Sequence, residues 1–395
     1  MNEHNSVFSE KTLSLLYRYF DVEKAEDPIF QELYNSLSKW LVAIDNNRDN
    51  IITHVIHSNK TQNFVVPKIE ENKFFLVWDV SFWHFYTDFL LVFFSYESLM
   101  YDDFLDKATK ERLLNNTTSF LKNSILNFLV ARFSKNKDAT DTFFSLKNVY
   151  YKSSEIHTND KMMQIIQSIV AISKEFVLMH EFEHILYHIS PEIYAKDTSV
   201  FDSILTYYHD TLIDHIDTDK TRISSVQFKR IVNSILKNKD EKQYSELYSD
   251  YHAFFEILLH NGENFQNKNL DFSKNIPNYL FAIKLLKIFS SCINYTTQII
   301  DSVLTTKFQK RTKREKRIVD AYLEYQKTVY ARDYLSIELF AVTLMLYAKE
   351  FPINLKNFAK SINTRSFVLP YTQIIQLKFN EFINEVANRL VLAVK

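Results

Sequence analysis

Two histidines spaced four residues apart, with a glutamate beside the first, form the part of this sequence best suited to chemistry. The stretch is His180-Glu181-Phe182-Glu183-His184, an HExxH pattern. On an α-helix, residues four apart are offset by about 40° and about 6 Å of rise, so both imidazoles can bind one metal ion. Glu181 could then accept a proton from a water molecule that the metal activates. The spacing therefore predicts metal-assisted hydrolysis with Zn²⁺, one ion per chain.

A catalytic zinc ion needs a third protein ligand and one open position. The segment 245–253 supplies Glu246 and Asp250, which are four residues apart and share one face of a helix. One of these carboxylates can bind the metal while the other accepts the free N–H of a ligating histidine and fixes its orientation. A helix carrying HExxH beside a helix carrying ExxxD would complete such a site.

His188 is nearer in the sequence, but we do not expect it to be the third ligand. On a continuous helix it lies about 12 Å from His180, whereas zinc binds nitrogen at about 2.1 Å. A histidine further along could reach the ion if a glycine turned the chain back, but no glycine is present there. We expect His188 to have a structural or supporting role.

The two motifs together resemble the gluzincins, the glutamate-type zinc peptidases that include thermolysin. The Glu-x-x-Ser-Asp form at 246–250 is similar to thermolysin's, and Asp-x-x-Ala at 250–253 is similar to the membrane-associated CAAX-processing peptidases and their soluble relatives. The resemblance covers residues 177–253 and implies a zinc endopeptidase. It implies roles for five residues: zinc ligation by His180, His184 and Glu246, general-base catalysis by Glu181, and orientation of a ligand by Asp250. The chain also resembles phage-exclusion (Lit-type) peptidases, which implies a defence or stress effector.

The sequence departs from this family in two ways. Glu183 places a charge where the family usually has an uncharged residue. The cationic or phenolic group that stabilises the oxyanion is also not identified. The nearby candidates for that role are aromatic or histidine side chains that could equally be packed or surface residues: Tyr244, Tyr248, His252 and His260.

The HExxH motif must lie on a long helix, because residues 161–189 contain no helix breaker. Apolar residues recur there at three- and four-residue spacing, and the two histidines continue the same stripe toward a buried face. The apolar residues are Ile165, Ile166, Ile169, Val170, Phe176 and Val177. Ser190-Pro191 should end this helix and start the next one. A second helix is predicted from about Lys242 to His260, with Asn261-Gly262 as its C-terminal cap.

The rest of the chain reads mainly as helix. Residues 1–60 are predicted to be helical, with one helix starting at Asp27-Pro28, and so are 83–135 and 275–395. The clearest strand signal is at 63–80, which predicts a hairpin that either binds substrate at its edge or forms an internal structural sheet. Residues 136–160 read as a polar loop, with one strand near 149–151.

These elements predict a mainly α fold with a small β-sheet (α+β). The expected organisation is an N-terminal helical region at 1–60, a zincin-like catalytic core at 61–270 and a C-terminal helical region at 271–395. A single glycine, Gly262, argues against phosphate-binding loops and dinucleotide folds, which need several.

Composition limits the partners and the location. The formal net charge of -1 gives no global attraction to nucleic acid or to anionic membranes. The sequence has a lone Cys292, which fits a reducing compartment. It shows no signal sequence, and its longest apolar stretch, 89–94, is too short to span a bilayer. We therefore expect a cytoplasmic protein without a membrane partner. We expect a protein or peptide substrate, and the oligomeric state is left open.

Three alternative interpretations are kept. The two histidines could be core residues satisfied by hydrogen bonds, and Glu246 and Asp250 could lie on a solvated face. A closed metal site could serve only to hold helices together in a binding or scaffold protein. The basic run at 307–317 contains seven Lys or Arg residues and could contact nucleic acid. Because no aromatic side chains lie between those charges, a solvated helix start is the favoured interpretation of the run.

Overall fold

The computed structural model describes residues 22–58, 64–67, 73–150, 156, 158–190, 200–207, 210, 225–238, 241–267, 275–306, 332, 335–336, 339–340 and 368–393. Within these residues the chain is mainly helical and has one small sheet, which confirms the predicted fold class.

The helices and strands are numbered in chain order. The helices are α1 (Pro28–Trp40), α2 (Val42–Asn46), α3 (Val80–Tyr101), α4 (Lys107–Arg132), α5 (Lys137–Tyr150), α6 (Asp160–Ile189), α7 (Ser225–Asn238), α8 (Glu241–Asn267), α9 (Ile276–Thr306) and α10 (Val368–Ala393). A 3-10 helix spans Arg48–Asn50, and residues 200–207 are also helical. The strands are β1 (Val22–Lys24), β2 (Ile51–Ser58), β3 (Phe64–Pro67) and β4 (Phe74–Asp79).

The sheet has four strands in the order β1-β2-β4-β3. β3 and β4 pair antiparallel, with Phe64 opposite Val77, and this confirms the hairpin predicted at 63–80. β2 and β4 pair parallel, and β1 pairs antiparallel with β2. All six residues of β4 are buried, so this strand forms the centre of the sheet, and β3 lies at an edge where it packs against α6.

The prediction that residues 1–60 are helical is wrong for β1 and β2. Five of the eight residues in β2 are Ile, Val or Thr, whose branched side chains favour extended backbone. Pairing with β4 along Ile51–Ile56 satisfies the backbone of this strand. The predicted start of α1 is confirmed, because the Asp27 carboxylate accepts the N–H of Phe30 at 3.1 Å and Pro28 occupies the first turn.

Residues 136–160 are not a polar loop, because most of this segment forms α5. The Asn136 side chain accepts the N–H of Ala139, and the helix buries Ala139, Phe143 and Leu146 at helical spacing. Its amphipathic pattern was hidden by the many polar residues on its other face. The strand predicted near 149–151 is also wrong where it is described, since Val149 and Tyr150 belong to the helix.

The predicted second motif helix exists as α8, but it does not end at Gly262. It continues through the glycine to Asn267. The Asn261 side chain donates to the carbonyl oxygen of Ile257 at 2.8 Å and to Glu175 at 2.7 Å instead of capping the helix. Tertiary contact with α6 thus outweighs the cost of about 1 kcal/mol for glycine inside a helix.

The helix predicted at 83–135 is present but is interrupted at Asp102–Asp106. The predicted helix at 161–189 is confirmed as α6 and ends before Pro191. The helical prediction for 275–395 is confirmed over α9 and α10. The helix predicted to start at Pro191 and the basic run at 307–317 lie outside the described residues.

Helix α6 lies at the centre of the fold and packs against α8, α9, α3 and α1. A buried ion pair fixes it to the start of α1, because Lys174 Nζ lies 2.5 Å from Asp27 Oδ2. The Trp78 indole N–H donates to the same carboxylate oxygen at 3.0 Å. Side chains from all three predicted regions join one apolar core, and the region boundaries at 60 and 270 stay predictions.

Two helices, α6 and α9, contain windows that could cross a bilayer by length and composition alone. About half of each window, 50% and 56%, is buried inside the fold. Core helices of soluble proteins have the same properties, so these windows are weak evidence for a membrane location. The expectation of no membrane partner stays a prediction.

Candidate metal centre

Helices α6 and α8 pack side by side in opposite directions and bring the two motifs together. Glu175, near the middle of α6, contacts Asn261 late in α8, whereas His184, further along α6, contacts Glu246, which comes earlier on α8. The opposite order of the contacts shows that the helices are antiparallel. Each motif presents its four-residue pair toward the other helix, as helical geometry requires.

The three predicted ligands form one cluster. His180, His184 and Glu246 each offer one ligand atom, and these atoms all lie within 4.8 Å of one another. The two Nε2 atoms are 3.1 Å apart. The Glu246 oxygens lie 3.7 Å from His180 Nε2 and 3.8 Å from His184 Nε2.

These separations fit a shared ion. Ligands at about 2.1 Å in tetrahedral geometry are about 3.4 Å apart, and the three measured separations fall on both sides of that value. Two neutral nitrogens and one carboxylate are a donor set that suits zinc, and three protein ligands leave a fourth position for water or substrate. The residues present therefore fit a zinc ion.

Asp250 lies behind the cluster. Its Oδ1 is 3.0 Å from Nδ1 of His180, although the two groups are not aligned as a hydrogen bond. Its two oxygens also accept from Lys287 Nζ at 2.8 and 2.6 Å, and Oδ2 accepts from Ser336 Oγ at 2.8 Å. This placement is suited to orienting His180 so that its other nitrogen, Nε2, faces the cluster.

The surroundings of the cluster keep Glu246, Asp250 and His184 in the protonation states that a metal site needs. Burial opposes ionisation of Glu246 and Asp250, but the neighbouring positive groups outweigh it and hold the pKa of each carboxyl below its usual value. For Glu246 the main positive neighbour is His180, and for Asp250 it is Lys287. Burial, reinforced by the charge of His180, lowers the pKa of His184 to about 4. Near neutral pH, both carboxylates are therefore charged and His184 is neutral.

His180 differs from His184. Burial disfavours its charged form, but the contact with Asp250 and the charges of Glu246 and Glu181 outweigh that effect and raise its pKa. A metal ion bound at Nε2 would compete with protonation of this imidazole, so metal affinity should fall as the pH drops.

Glu181 is buried, with 7% of its surface exposed, and lies about 100° around α6 from His180. His188 contacts the rings of Phe74 and Tyr187. It is not part of the ligand cluster, in keeping with the argument from helix length.

The four candidates for oxyanion stabilisation make contacts outside the ligand cluster. Tyr248 and His252 line a cavity of about 400 Å³ that also includes Glu183 but none of the three cluster residues. The α6 residues at this cavity are Glu183, Leu186 and Ser190. On average they lie about 110° around the helix from the two cluster histidines. The cavity is thus on another face of the helix pair.

Two further candidates contact residues away from the cluster. Tyr244 donates to Asp202 at 2.5 Å. His260 lies 3.4 Å from Glu175 and 3.3 Å from Ser36.

Three residues of the site were missed by sequence reasoning: Lys287, Arg332 and Ser336. Lys287 had a weak signal, since it lies within the apolar run of α9 and a lysine there needs a buried partner. Arg332 Nη1 lies 3.7 Å from Glu246 Oε2. Neither Arg332 nor Ser336 has a local pattern that links it to residues more than 80 positions earlier, because only tertiary packing brings them together.

Comparison with known protein families, curated proteins and solved structures found no match to this chain. The likeness to the gluzincins therefore rests on the two motifs alone.

Proposed function

We propose that this chain is a zinc-dependent endopeptidase whose site is built from His180, His184, Glu246, Glu181 and Asp250. The observation that carries the proposal is the convergence of two imidazoles and one carboxylate, from separate helices, at separations that suit one ion. Asp250, 3.0 Å from the other nitrogen of His180, adds the orienting group that such sites use.

The reaction proposed is hydrolysis of a peptide bond. When bound, zinc would supply a Lewis acid that polarises the scissile carbonyl and acidifies water. His180, His184 and Glu246 would hold the ion, and Asp250 would keep His180 in the correct tautomer. Glu181 would accept a proton from the attacking water and pass it to the nitrogen of the leaving amine.

The substrate has a route to this site and an edge to bind. Glu246 and His184 have 30% and 24% of their side-chain surface exposed, so the cluster can be reached from solvent. Strand β3 lies at the edge of the described sheet and packs against α6. An extended peptide could pair with such an edge and pass over the cluster.

The test combines metal content with activity. Purified protein should contain about one zinc per chain, and changing His180, His184 or Glu246 to Ala should remove it. Glu181→Gln should keep the zinc and abolish cleavage of a casein or mixed-peptide substrate. Glu183→Gln is the matched control, because this glutamate is in the same motif but lines the cavity on the other face. Normal turnover by Glu181→Gln would contradict the proposed mechanism.

A metal site that only joins helices is the alternative. The burial of Glu181 and the position of the cluster between α6 and α8 are the observations that favour it. In that case chelation would unfold the protein, while wild type and Glu181→Gln would show the same absence of hydrolysis and bind partners equally.

A further inference from the structure

The candidate metal centre opens to solvent on one side. Side-chain exposure rises from 1% for Asp250 and 13% for His180 to 24% for His184 and 30% for Glu246. Asp250 therefore forms the floor of the site, and His184 and Glu246 lie at its opening. A substrate carbonyl must approach from the side of Glu246 and His184.

A cation borders this opening beside Glu246, with 13% of the Arg332 side chain exposed. Arg332 Nη1 is 3.7 Å from Glu246 Oε2, the most exposed of the three predicted ligands. The same nitrogen donates to the side-chain oxygen of Gln243 at 3.3 Å. Four residues further along the chain, Ser336 contacts Asp250 at the floor. Ser336 thus lies at the floor of the site, and the Arg332 guanidinium lies beside Glu246.

The second cation near the cluster cannot take the same role. Lys287 Nζ contacts both oxygens of Asp250, at 2.8 and 2.6 Å, and so is committed to the floor. Arg332, in contrast, is held by Gln243, which is only 1% exposed and therefore provides a fixed anchor. A guanidinium carries five N–H donors in one plane, so it can keep this anchor and also donate to a substrate oxygen.

We infer that Arg332 is the catalytic residue that stabilises the oxyanion of the scissile peptide, with Gln243 as its positioning residue. This inference rests on the proposed peptidase function. As the water oxygen bonds to the carbonyl carbon, the carbonyl π electrons move onto its oxygen, and the water proton goes to Glu181. Arg332 donates a hydrogen bond to that oxygen and transfers no proton. When the carbon–nitrogen bond breaks, the nitrogen takes the proton from Glu181 and the charge on the oxygen is lost.

A fixed guanidinium suits this task physically. It stays charged at every pH at which the protein is folded, and charge-assisted donors are stronger than neutral ones. Loss of one such donor typically lowers kcat on the order of 100- to 1,000-fold. This assignment supplies the cationic group that the sequence left unidentified.

The experiment measures three properties of zinc-loaded wild type, Arg332→Gln and Arg332→Lys. They are the zinc Kd by chelator competition, kcat and KM on a mixed-peptide substrate, and the Kd of N-phosphoryl-Leu-Phe, whose phosphoryl group mimics a tetrahedral oxyanion. Arg389→Gln is the matched control, because this arginine is 61% exposed on α10 and pairs only loosely with Glu385 at 4.0 Å. Circular dichroism checks that each variant is folded.

We expect Arg332→Gln to bind zinc at least as tightly as wild type, because a positive charge beside the ion has been removed. It should lose roughly 100-fold or more in kcat and weaken phosphoryl binding by at least about tenfold. Arg332→Lys should have values between those of wild type and Arg332→Gln, and Arg389→Gln should match wild type. Unchanged kcat and probe affinity in Arg332→Gln, or loss of its zinc, would overturn the inference alone. A wild-type protein that binds no zinc or cleaves no peptide would overturn the proposed function, and the inference with it.

Discussion

The buried contact between Asp250 and Lys287 gives a sharp test of how the site is held together. Asp250→Asn keeps the shape of the side chain but removes its charge, which takes away the carboxylate that Lys287 contacts. Lys287→Met removes the ammonium but keeps an apolar chain of similar length. The double variant removes both charges at once.

The magnitudes follow from burial. The side chains of Asp250 and Lys287 are 1% and 13% exposed, so water compensates little of either charge. Removing one partner of such a pair typically costs about 3–5 kcal/mol of stability, and we expect Asp250→Asn to lie in this range. Lys287→Met should cost less, because His180 and Ser336 still contact the carboxylate. The stability loss of the double variant should be smaller than the sum of the two single losses, by on the order of 2 kcal/mol.

The assay is chemical denaturation of EDTA-treated protein at pH 7, followed by tryptophan fluorescence. Zinc affinity provides a second readout, since loss of an orienting carboxylate typically costs about 10- to 100-fold. Asp250→Asn should show this loss and Lys287→Met should show less of it. If the two stability losses simply added, the ion pair would not couple the residues and the account of the floor of the site would be wrong.

Three further outcomes are expected. Burial lowers the pKa of His252 to about 4, so the folded state favours the neutral form. The unfolding free energy should therefore fall by up to about 3 kcal/mol as the pH drops from about 6.5 to about 4, and then level off. His252→Gln should remove this part of the pH dependence of the unfolding free energy. Zinc at 100 times its Kd should raise the unfolding free energy by about 2.7 kcal/mol, and no such rise should occur in His184→Ala; an equal rise in both would place the ion elsewhere. Asp27→Ala should lower the unfolding free energy by about 3–5 kcal/mol, because it removes the carboxylate that pairs with the buried Lys174. The melting temperature should fall with it. Asp106→Ala, which removes an exposed cap of α4, should lower the melting temperature much less.

The sequence predicted those parts of the site that depend on local helix geometry. The four-residue spacing within each motif fixes a shared face, and the breaker-free run before His180 fixes a long helix, so the cluster of His180, His184 and Glu246 could be anticipated. Lys287 and Arg332 could not be placed in the same way, because their contacts depend on how distant helices pack. The misread segments have a similar cause. β2 needs β4 beside it to be stable, and α8 passes through Gly262 because α6 supports it there.

The three proposed metal ligands belong to two helices that are held together by side-chain packing. Any event that separates α8 from α6 would remove Glu246 from the histidines and withdraw Asp250 from His180 in one movement. Release of the ion and loss of hydrolysis would then coincide, so the amount of retained metal would report directly on how firmly the two helices are docked.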